Sequence, residues 1–316
     1  MSEETPVRPV TVIGAGTIGL SWITLFLAHG RRVRVNSRRP DAPDVVAKGV
    51  ELFAPTLPHG GADPRELMEL LEFEPDMERA VRDAAVVVEN TPEDLALKQE
   101  LFARIGAAAP ADTLFLSSSS TLLADEMGAL MPDRGRLVVG HPLNPPHLVP
   151  LVEIVGGDAT TPEAVAEAVE FFRSVGKTPV VLRKPITRFV ANRLQSALLQ
   201  ESIHLVREGV VSVSELDEIV TQSVGLRWSV IGPFQAFHLG GGEGGLRQWL
   251  TRRGGGLEQS WRELGRPRMD DATIDALSTA AEEDFGSRSY AELASDRDAK
   301  QNAVLDALAR FPKYPK

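Results

Sequence analysis

Thr11-Val12-Ile13-Gly14-Ala15-Gly16-Thr17-Ile18-Gly19 decides the fold of this 316-residue chain. A β-forming run empties into a G-x-G-x-x-G turn, and an apolar helix-forming stretch, Leu20 to Ala28, follows at once. Gly14 permits the tight turn, and Gly16 lets the backbone approach a pyrophosphate at the helix N-terminus beside Thr17 and Ile18. Gly19 lets helix and strand pack closely. A βαβ turn without a ligand can show the same spacing. The context favours a dinucleotide, because Gly30 ends the helix and a second strand is predicted at Val33 to Val35.

The end of that second strand bears on which dinucleotide. An acidic residue about 20 residues past the glycines normally accepts the adenosine ribose hydroxyls and repels a 2′-phosphate. Here the chain reads Asn36-Ser37-Arg38-Arg39, with Ser37 taken as the replacement for the acid. Ser37, Arg38 and Arg39 offer donors and positive charge suited to phosphate oxygens, which predicts NADP in preference to NAD. A solvated basic loop tip also explains the arginines, though not the missing acid.

With 43% hydrophobic and 25% charged residues, the chain is an ordinary globular protein long enough for two cored domains. Its net charge of −10 disfavours nucleic acid or an anionic membrane surface as the main partner. There is no cysteine, so disulfides and thiolate chemistry do not enter. Met1 to Pro6 is acidic without an apolar core, and no run approaches the roughly 18 apolar residues of a membrane span. The expected location is the cytoplasm. No metal site is expected.

Strand-like segments at Val10–Ile13, Val33–Asn36, Ala85–Glu89, Thr113–Ser117, Leu137–Gly140, Leu151–Val155 and Pro179–Leu182 alternate with helical ones. That alternation predicts an α/β, doubly wound Rossmann domain over residues 1–185. From Thr187 the pattern turns helical: Phe189, Val190, Leu194, Ala197 and Leu198 mark an apolar face, Gly209 an end, and Ser212 with Glu215 a capping box. Residues 186–316 are therefore expected to form an all-α domain, entered near Lys184-Pro185. Gly240 to Gly245 and Gly254 to Gly256 read as loops within it.

The densest polar cluster is His141-Pro142-Leu143-Asn144-Pro145-Pro146-His147, followed by Pro150-Leu151-Val152-Glu153. Oxidation of a carbinol removes a hydride and a proton, and the proton calls for a base. Histidine suits that role, since its ordinary pKa of about 6.5 allows both protonation states near neutrality. A carboxylate that accepts the other ring N–H fixes the tautomer, and Glu153 on the next strand is placed to reach back. A structurally satisfied histidine at a strand end is the competing reading.

Taken together, these blocks resemble the 3-hydroxyacyl-CoA dehydrogenase family, in the branch that holds L-gulonate 3-dehydrogenase (lambda-crystallin) and carnitine dehydrogenase. The resemblance rests on Gly14 to Gly19 with Ser21-Trp22, Glu89 to Leu95, Ser117 to Ser120, and His141 to Pro146 with Pro150 to Glu153. It continues through Phe189 to Gln195 and Arg227 to Pro233. The resemblance implies a small-molecule oxidoreductase that dimerises through its helical domain. It implies that His141 is the acid or base, Glu153 its orienting carboxylate, and Ser120 and Asn192 hydrogen-bond donors to the substrate oxygen, where charge builds in the transition state. Glu93 and Lys98 join the cofactor residues on the same ground, and Asn144 and Arg227 the substrate residues. Arg227 is suited to a bidentate carboxylate contact, although a surface arginine reads equally well.

Two departures from the family pattern matter. The acid after the second strand is absent, which supports NADP over NAD. The segment Pro40 to Pro75, expected to receive CoA, has Lys48 and Arg65 against eight acids, which disfavours CoA phosphates. The expected function is therefore an NADP(H)-dependent ketoreductase or 3-hydroxy acid dehydrogenase acting on a β-keto acid, with a polyketide-type intermediate of antibiotic biosynthesis favoured. The alternatives are an NAD-dependent catabolic dehydrogenase of hydroxyacyl-CoA, gulonate or carnitine type, and a cofactor-binding structural protein of crystallin kind.

Overall fold

Strand β1 (Val10–Ile13) is buried at all four positions, as a parallel strand with helices on both faces must be. In the computed structural model, which describes residues 8–58 and 60–311, β1 lies inside an eight-stranded sheet. The reading of Met1 to Pro6 falls outside the described residues. The other strands are β2 (Val33–Asn36), β3 (Leu71–Phe73), β4 (Val86–Glu89), β5 (Leu114–Ser117), β6 (Leu137–Pro142), β7 (Leu151–Gly156) and β8 (Thr178–Val181). Their order is β3-β2-β1-β4-β5-β6-β7-β8. All neighbours run parallel except β6 and β7.

Helices α1 (Thr17–Ala28), α2 (Ala42–Phe53), α3 (Pro64–Met68), α4 (Met77–Val81), α5 (Leu95–Ala108), α6 (Ala124–Met127) and α7 (Pro162–Ser174) connect these strands. Helix α1 is apolar on nearly every side because it is enclosed. Trp22 and Phe26 stack at 5.3 Å, and Phe171 and Phe172 of α7 close over them at 5.4 and 5.5 Å. Gly140 makes that approach possible, since a Cβ there would lie 2.6 Å from the Phe172 ring.

Two strand readings are revised. Leu71–Phe73, at the sheet edge, was not anticipated; its three half-buried residues are too few for a periodic signal. Strand β6 runs past Gly140 to Pro142, so His141 sits within the strand.

Seven further helices follow: α8 (Phe189–Arg207), α9 (Val213–Gln222), α10 (Val224–Val230), α11 (Pro233–Gly240), α12 (Gly245–Glu263), α13 (Asp271–Phe285) and α14 (Tyr290–Ala309). Gly209 takes φ +68 after α8, and Ser212 with Glu215 forms the expected capping box. Gly254 to Gly256 do not form a loop: they lie inside α12. Each glycine costs up to about 1 kcal/mol relative to alanine, but the flanking turns carry the helix through, and Trp249 on α12 packs at 4.3 Å on Phe237 of α11. The chain forms two compact units, Met1–Asn192 with Arg297–Lys316, and Arg193–Asp296. A single cut at 185 is thus refined: the first residues of α8 and the chain from Arg297 onward belong with the sheet.

Next to β1, the end of β4 carries a fully buried ion pair. Lys98 Nζ lies 2.6 and 2.8 Å from the two Glu89 oxygens, and Glu89 also accepts from Thr91 N, Thr91 Oγ1 and Ser117 Oγ, each at 2.6 Å. Removing one partner of such a pair strands a charge, at a cost of about 3–5 kcal/mol. Lys98→Met is expected to lose stability on that scale in urea unfolding, and Glu89→Gln combined with Lys98→Met to recover a large part of it. Equal losses in the single and double variants would contradict the pairing.

Candidate active site

The glycine turn has the geometry its spacing implied. Gly14 adopts φ +94, and a Cβ there would meet the Asn90 carbonyl oxygen at 2.7 Å. A Cβ on Gly19 would lie 2.0 Å from the Gly14 oxygen, whereas one on Gly16 would meet nothing within 4 Å. Gly16 is also the N-cap of α1, with no side-chain cap and no acid in the first turn. There is thus room beside Gly16 at the point where strand order reverses between β2-β1 and β4. That is the crevice in which doubly wound folds bind dinucleotides. Gly14, Gly16, Thr17, Ile18 and Gly19 fit the pyrophosphate of NAD(P).

At the adenosine end the residue-level expectation changes. Strand β2 ends on Asn36, so Asn36 rather than Ser37 occupies the strand-end place of the usual acid. Its Nδ2 donates to the carbonyls of Glu74 and Pro75 at 2.8 and 3.1 Å. Ser37 Oγ accepts from Arg39 N. Arg39 is held in a two-point pair by Asp41 at 3.0 and 2.8 Å, which compensates its charge. Arg38 is exposed and has no ion pair among the described residues. One free guanidinium stands where two were expected.

Lys98 is also revised. Its three N–H groups are committed to the Glu89 oxygens and to Thr91 O at 3.2 Å, so it shapes the loop after β4 and has no donor left for a dinucleotide. Glu93 Oε1 gathers Ser119 Oγ, Ser120 N, Thr121 N and Thr121 Oγ1 at 2.6–3.0 Å. Burial would raise its pKa, but the Ser119 and Thr121 hydrogen bonds and the Lys98 charge outweigh that and hold the carboxyl below its ordinary value. Glu93 therefore anchors the serine loop. The Ser120 hydroxyl itself makes no hydrogen bond among the described residues.

His141 and Glu153 are direct cross-strand partners in the antiparallel β6–β7 pair, a register that places both side chains on one face a few ångströms apart. His141 Nδ1 lies 2.9 Å from Glu153 Oε2, and both residues are buried. The other oxygen, Oε1, accepts the backbone N–H groups of Val190 and Ala191 at 2.9 and 3.1 Å, in the first turn of α8. Burial alone would raise the carboxyl pKa. The bonds from His141, Ala191 and Val190 prevail, and Glu153 stays below the usual carboxylate range.

An ionised Glu153 assigns the ring proton to Nδ1, leaving Nε2 as an acceptor. Asn192 Nδ2 lies 3.4 Å from Nε2. The turn into α8 is strained, with Arg188 and Phe189 at φ +66 and +49. The fully buried Phe189 packs against the His141 ring at 5.2 Å, which stabilises the arrangement.

Ser120, His141, Glu153 and Asn192 all belong to the sheet-containing unit, and three of them form one hydrogen-bonded line. Asn144 is exposed on the loop after β6. Arg227 lies on α10 in the other unit, exposed and without an ion pair among the described residues. Sequence reading passed over Glu89 and Ser119 as functional groups. A glutamate at the end of an apolar strand, Val86 to Glu89, was the available signal, because a buried acid requires partners.

Comparison with known proteins now decides the lineage. Residues 9–185 match the NAD-binding domain of 3-hydroxyacyl-CoA dehydrogenase, and residues 189–267 match its C-terminal domain. The chain belongs to the 3-hydroxyacyl-CoA dehydrogenase family. It is an NAD(P)-dependent oxidoreductase acting on CH–OH groups. It is 41% identical to L-carnitine dehydrogenase of Streptomyces griseus over 97% of this chain and 92% of the relative. It is 40% identical to the enzyme of the same name from Streptomyces coelicolor over 98% of each. Among solved structures, a 5-formyl-3-hydroxy-2-methylpyridine 4-carboxylic acid 5-dehydrogenase, described as an NAD+-dependent dismutase, superposes with TM-score 0.77 at 26% identity, covering 96% of this chain and 99% of the other. A diketoreductase follows at TM-score 0.64 and 26% identity, covering 79% and 93%.

In this family member the geometry supplies an acceptor nitrogen backed by a buried carboxylate. Acid–base catalysis of this kind contributes about 10² to 10⁴-fold. His141→Ala and Glu153→Gln are each expected to lower kcat on that scale while changing cofactor affinity less than about threefold, measured by steady-state kinetics and cofactor titration. Near-native kcat in either variant at saturating substrate would remove the pair from the chemistry.

Proposed function

We propose that the chain oxidises, and in reverse forms, a small free 3-hydroxy acid of the carnitine type. The observation that carries this reading is the His141–Glu153 pair, pinned to the first turn of α8 with Asn192 beside Nε2. His141 Nε2 takes the proton of the substrate hydroxyl, and Glu153 stabilises the resulting imidazolium. Asn192 and the unengaged Ser120 hydroxyl donate to the substrate oxygen, where negative charge grows. Gly14 to Gly19 would hold the pyrophosphate of a dinucleotide whose nicotinamide, when bound, would accept and return the hydride. The polyketide-directed reading gives way to its catabolic alternative, because relatives aligned over nearly the whole length are named L-carnitine dehydrogenase. A purely structural role fits poorly with a complete acid–base pair.

Support for a free acid comes from the segment Pro40 to Pro75. Four of its eight acids are paired: Asp41, Asp63, Glu72 and Glu74 meet Arg39, Arg65, Arg32 with Arg34, and Arg79. Asp44, Glu51, Glu66 and Glu69 have no ion pair among the described residues, so the surface still repels CoA phosphates. Arg227 is our candidate for the substrate carboxylate. Side chains exposed on the later turns of α8, Leu194, Leu198 and Leu199, support a homodimer. No helix among the described residues is long and apolar enough to cross a membrane.

Among L-carnitine, 3-hydroxybutyrate, L-gulonate and 3-hydroxybutyryl-CoA, a free acid is expected to give the highest kcat/KM, followed at 340 nm. A CoA thioester above every free acid would return the chain to the acyl-CoA members of the family.

For the cofactor, the neutral Asn36 removes the group that repels a 2′-phosphate, while the Arg39–Asp41 pair leaves only Arg38 to attract one. The expectation is therefore use of both NAD and NADP within about tenfold, narrower than a strict preference for NADP. Asn36→Asp is expected to shift the ratio toward NAD by about tenfold or more, the effect of roughly 1.4 kcal/mol. An unchanged ratio in titrations of the two cofactors would relocate the determinant.

A further inference from the structure

Between His141 and Glu153 the chain forms the loop Leu143 to Pro150, whose placement sets how β6 and β7 present the pair. Two buried side chains hold this loop from within. Lys177, just ahead of β8, donates to Val149 O at 2.9 Å and to Pro146 O, and its ammonium lies 5.6 Å from the centre of the Trp22 ring. His147, 1% exposed, does more. Its backbone N–H donates to Ser21 Oγ at 2.8 Å, and its ring Nδ1 lies 2.8 Å from the same oxygen. With the Asp298 carboxylate facing Nε2, the ring proton sits on Nε2, and Nδ1 accepts the Ser21 hydroxyl proton.

Nε2 faces Thr56 Oγ1 at 3.3 Å and Asp298 Oδ2 at 3.5 Å. Thr56 gives its proton to Phe53 O at 3.0 Å, so both oxygens are acceptors toward the imidazole. The Phe53 ring stacks on His147 at 4.5 Å. Asp298 belongs to α14, is 2% exposed, and has its other oxygen 2.6 Å from Arg297. Four residues on, Asn302 Nδ2 donates to Thr56 O at 2.6 Å.

A serine, histidine and aspartate in line resemble a nucleophile relay. Their burial excludes that role: they are 0, 1 and 2% exposed, and the serine oxygen is already bonded on both sides. Burial also pushes His147 down to about 4, overcoming the Asp298 charge, so the ring is neutral near pH 7, in accord with the Nε2–H tautomer.

We propose that Asp298 is a positioning residue: acting through His147, the docked α14 fixes the loop that joins the strands of His141 and Glu153, and so sets the geometry of that pair. The same imidazole grips Ser21 on α1, the helix that begins at the glycine turn, so one buried ring ties the cofactor helix, the catalytic strands and the C-terminal helix together. The inference rests on the reading of His141 and Glu153 as the acid–base pair.

Asp298→Ala in the full chain tests it with two readouts at a temperature where the protein is folded. Misplacement of a catalytic group by fractions of an ångström to 1 Å costs up to about 10²-fold. A kcat loss of about tenfold or more is expected, with cofactor affinity within about twofold of wild type. The NMR resonance of the His141 Nδ1 proton is expected to broaden away or move. Asp298→Asn, which keeps an oxygen acceptor for His147, is expected to recover both. Wild-type kcat and an unmoved resonance in folded Asp298→Ala would overturn the proposal and leave α14 a stabilising element only. If the wild-type chain turns over no 3-hydroxy acid, the functional reading fails, and the resonance alone decides the positioning claim in either direction. Should Asp298→Ala not fold, Asn302→Ala loosens α14 by one hydrogen bond and is judged by the same two readouts.

Discussion

One carboxylate organises the candidate site of this protein. Glu153 divides its two oxygens between the His141 ring and the backbone N–H groups of Val190 and Ala191. Because β6 and β7 are antiparallel and in register at 141 and 153, the first contact follows from the sheet itself. The second ties the sheet to the start of α8 and brings Asn192 to the free nitrogen of the imidazole. The helix N-terminus and the histidine both favour the ionised carboxylate, which keeps the acid charged despite its burial. The left-handed backbone at Arg188 and Phe189 stores strain of the kind found where a site requires an otherwise unfavourable turn.

The rest of the crevice is built on the same plan, with the buried Glu89 and the more exposed Glu93 gathering donors from loops that would otherwise be free to rearrange. Glu89 collects Thr91, Lys98 and Ser117, and Glu93 collects Ser119, Ser120 and Thr121. Buried ion pairs add little net stability, because desolvation offsets most of the Coulombic gain. What these acids supply is position: the loops after β4 and β5 are each fixed by several bonds to one carboxylate. The serine loop is thereby fixed while the Ser120 hydroxyl makes no hydrogen bond among the described residues.

The sheet-containing unit is largely legible in the sequence, for reasons that can be named residue by residue. Val10 to Ile13 and the three glycines form a local code, since φ +94 at Gly14 and the 2.0 Å approach at Gly19 exclude other side chains. His141 and Glu153 could be paired because they lie on consecutive predicted strands. The adenosine loop was only partly legible, because the order of residues cannot show that Asp41 neutralises Arg39. Lys98 was likewise assigned to the cofactor when its three donors are used internally. Gly254 to Gly256 were misread because glycine content is a local preference, and helix α12 is held by its longer context.

By itself the sequence determined the elements whose geometry is enforced locally: the strand–turn–helix of the dinucleotide site, the alternation of strands and helices, and the pairing of His141 with Glu153 across neighbouring strands. Only the tertiary structure decided which charges remain free. Charge is a long-range property, and a guanidinium or ammonium is available to a ligand only if no carboxylate reaches it first. The tertiary structure also decided that the chain beyond Arg297 returns to the sheet, where Asp298 meets His147 across 151 positions of sequence. That contact has no periodic or motif signal. It exists because two buried polar groups, far apart along the chain, must each find a partner once water is excluded.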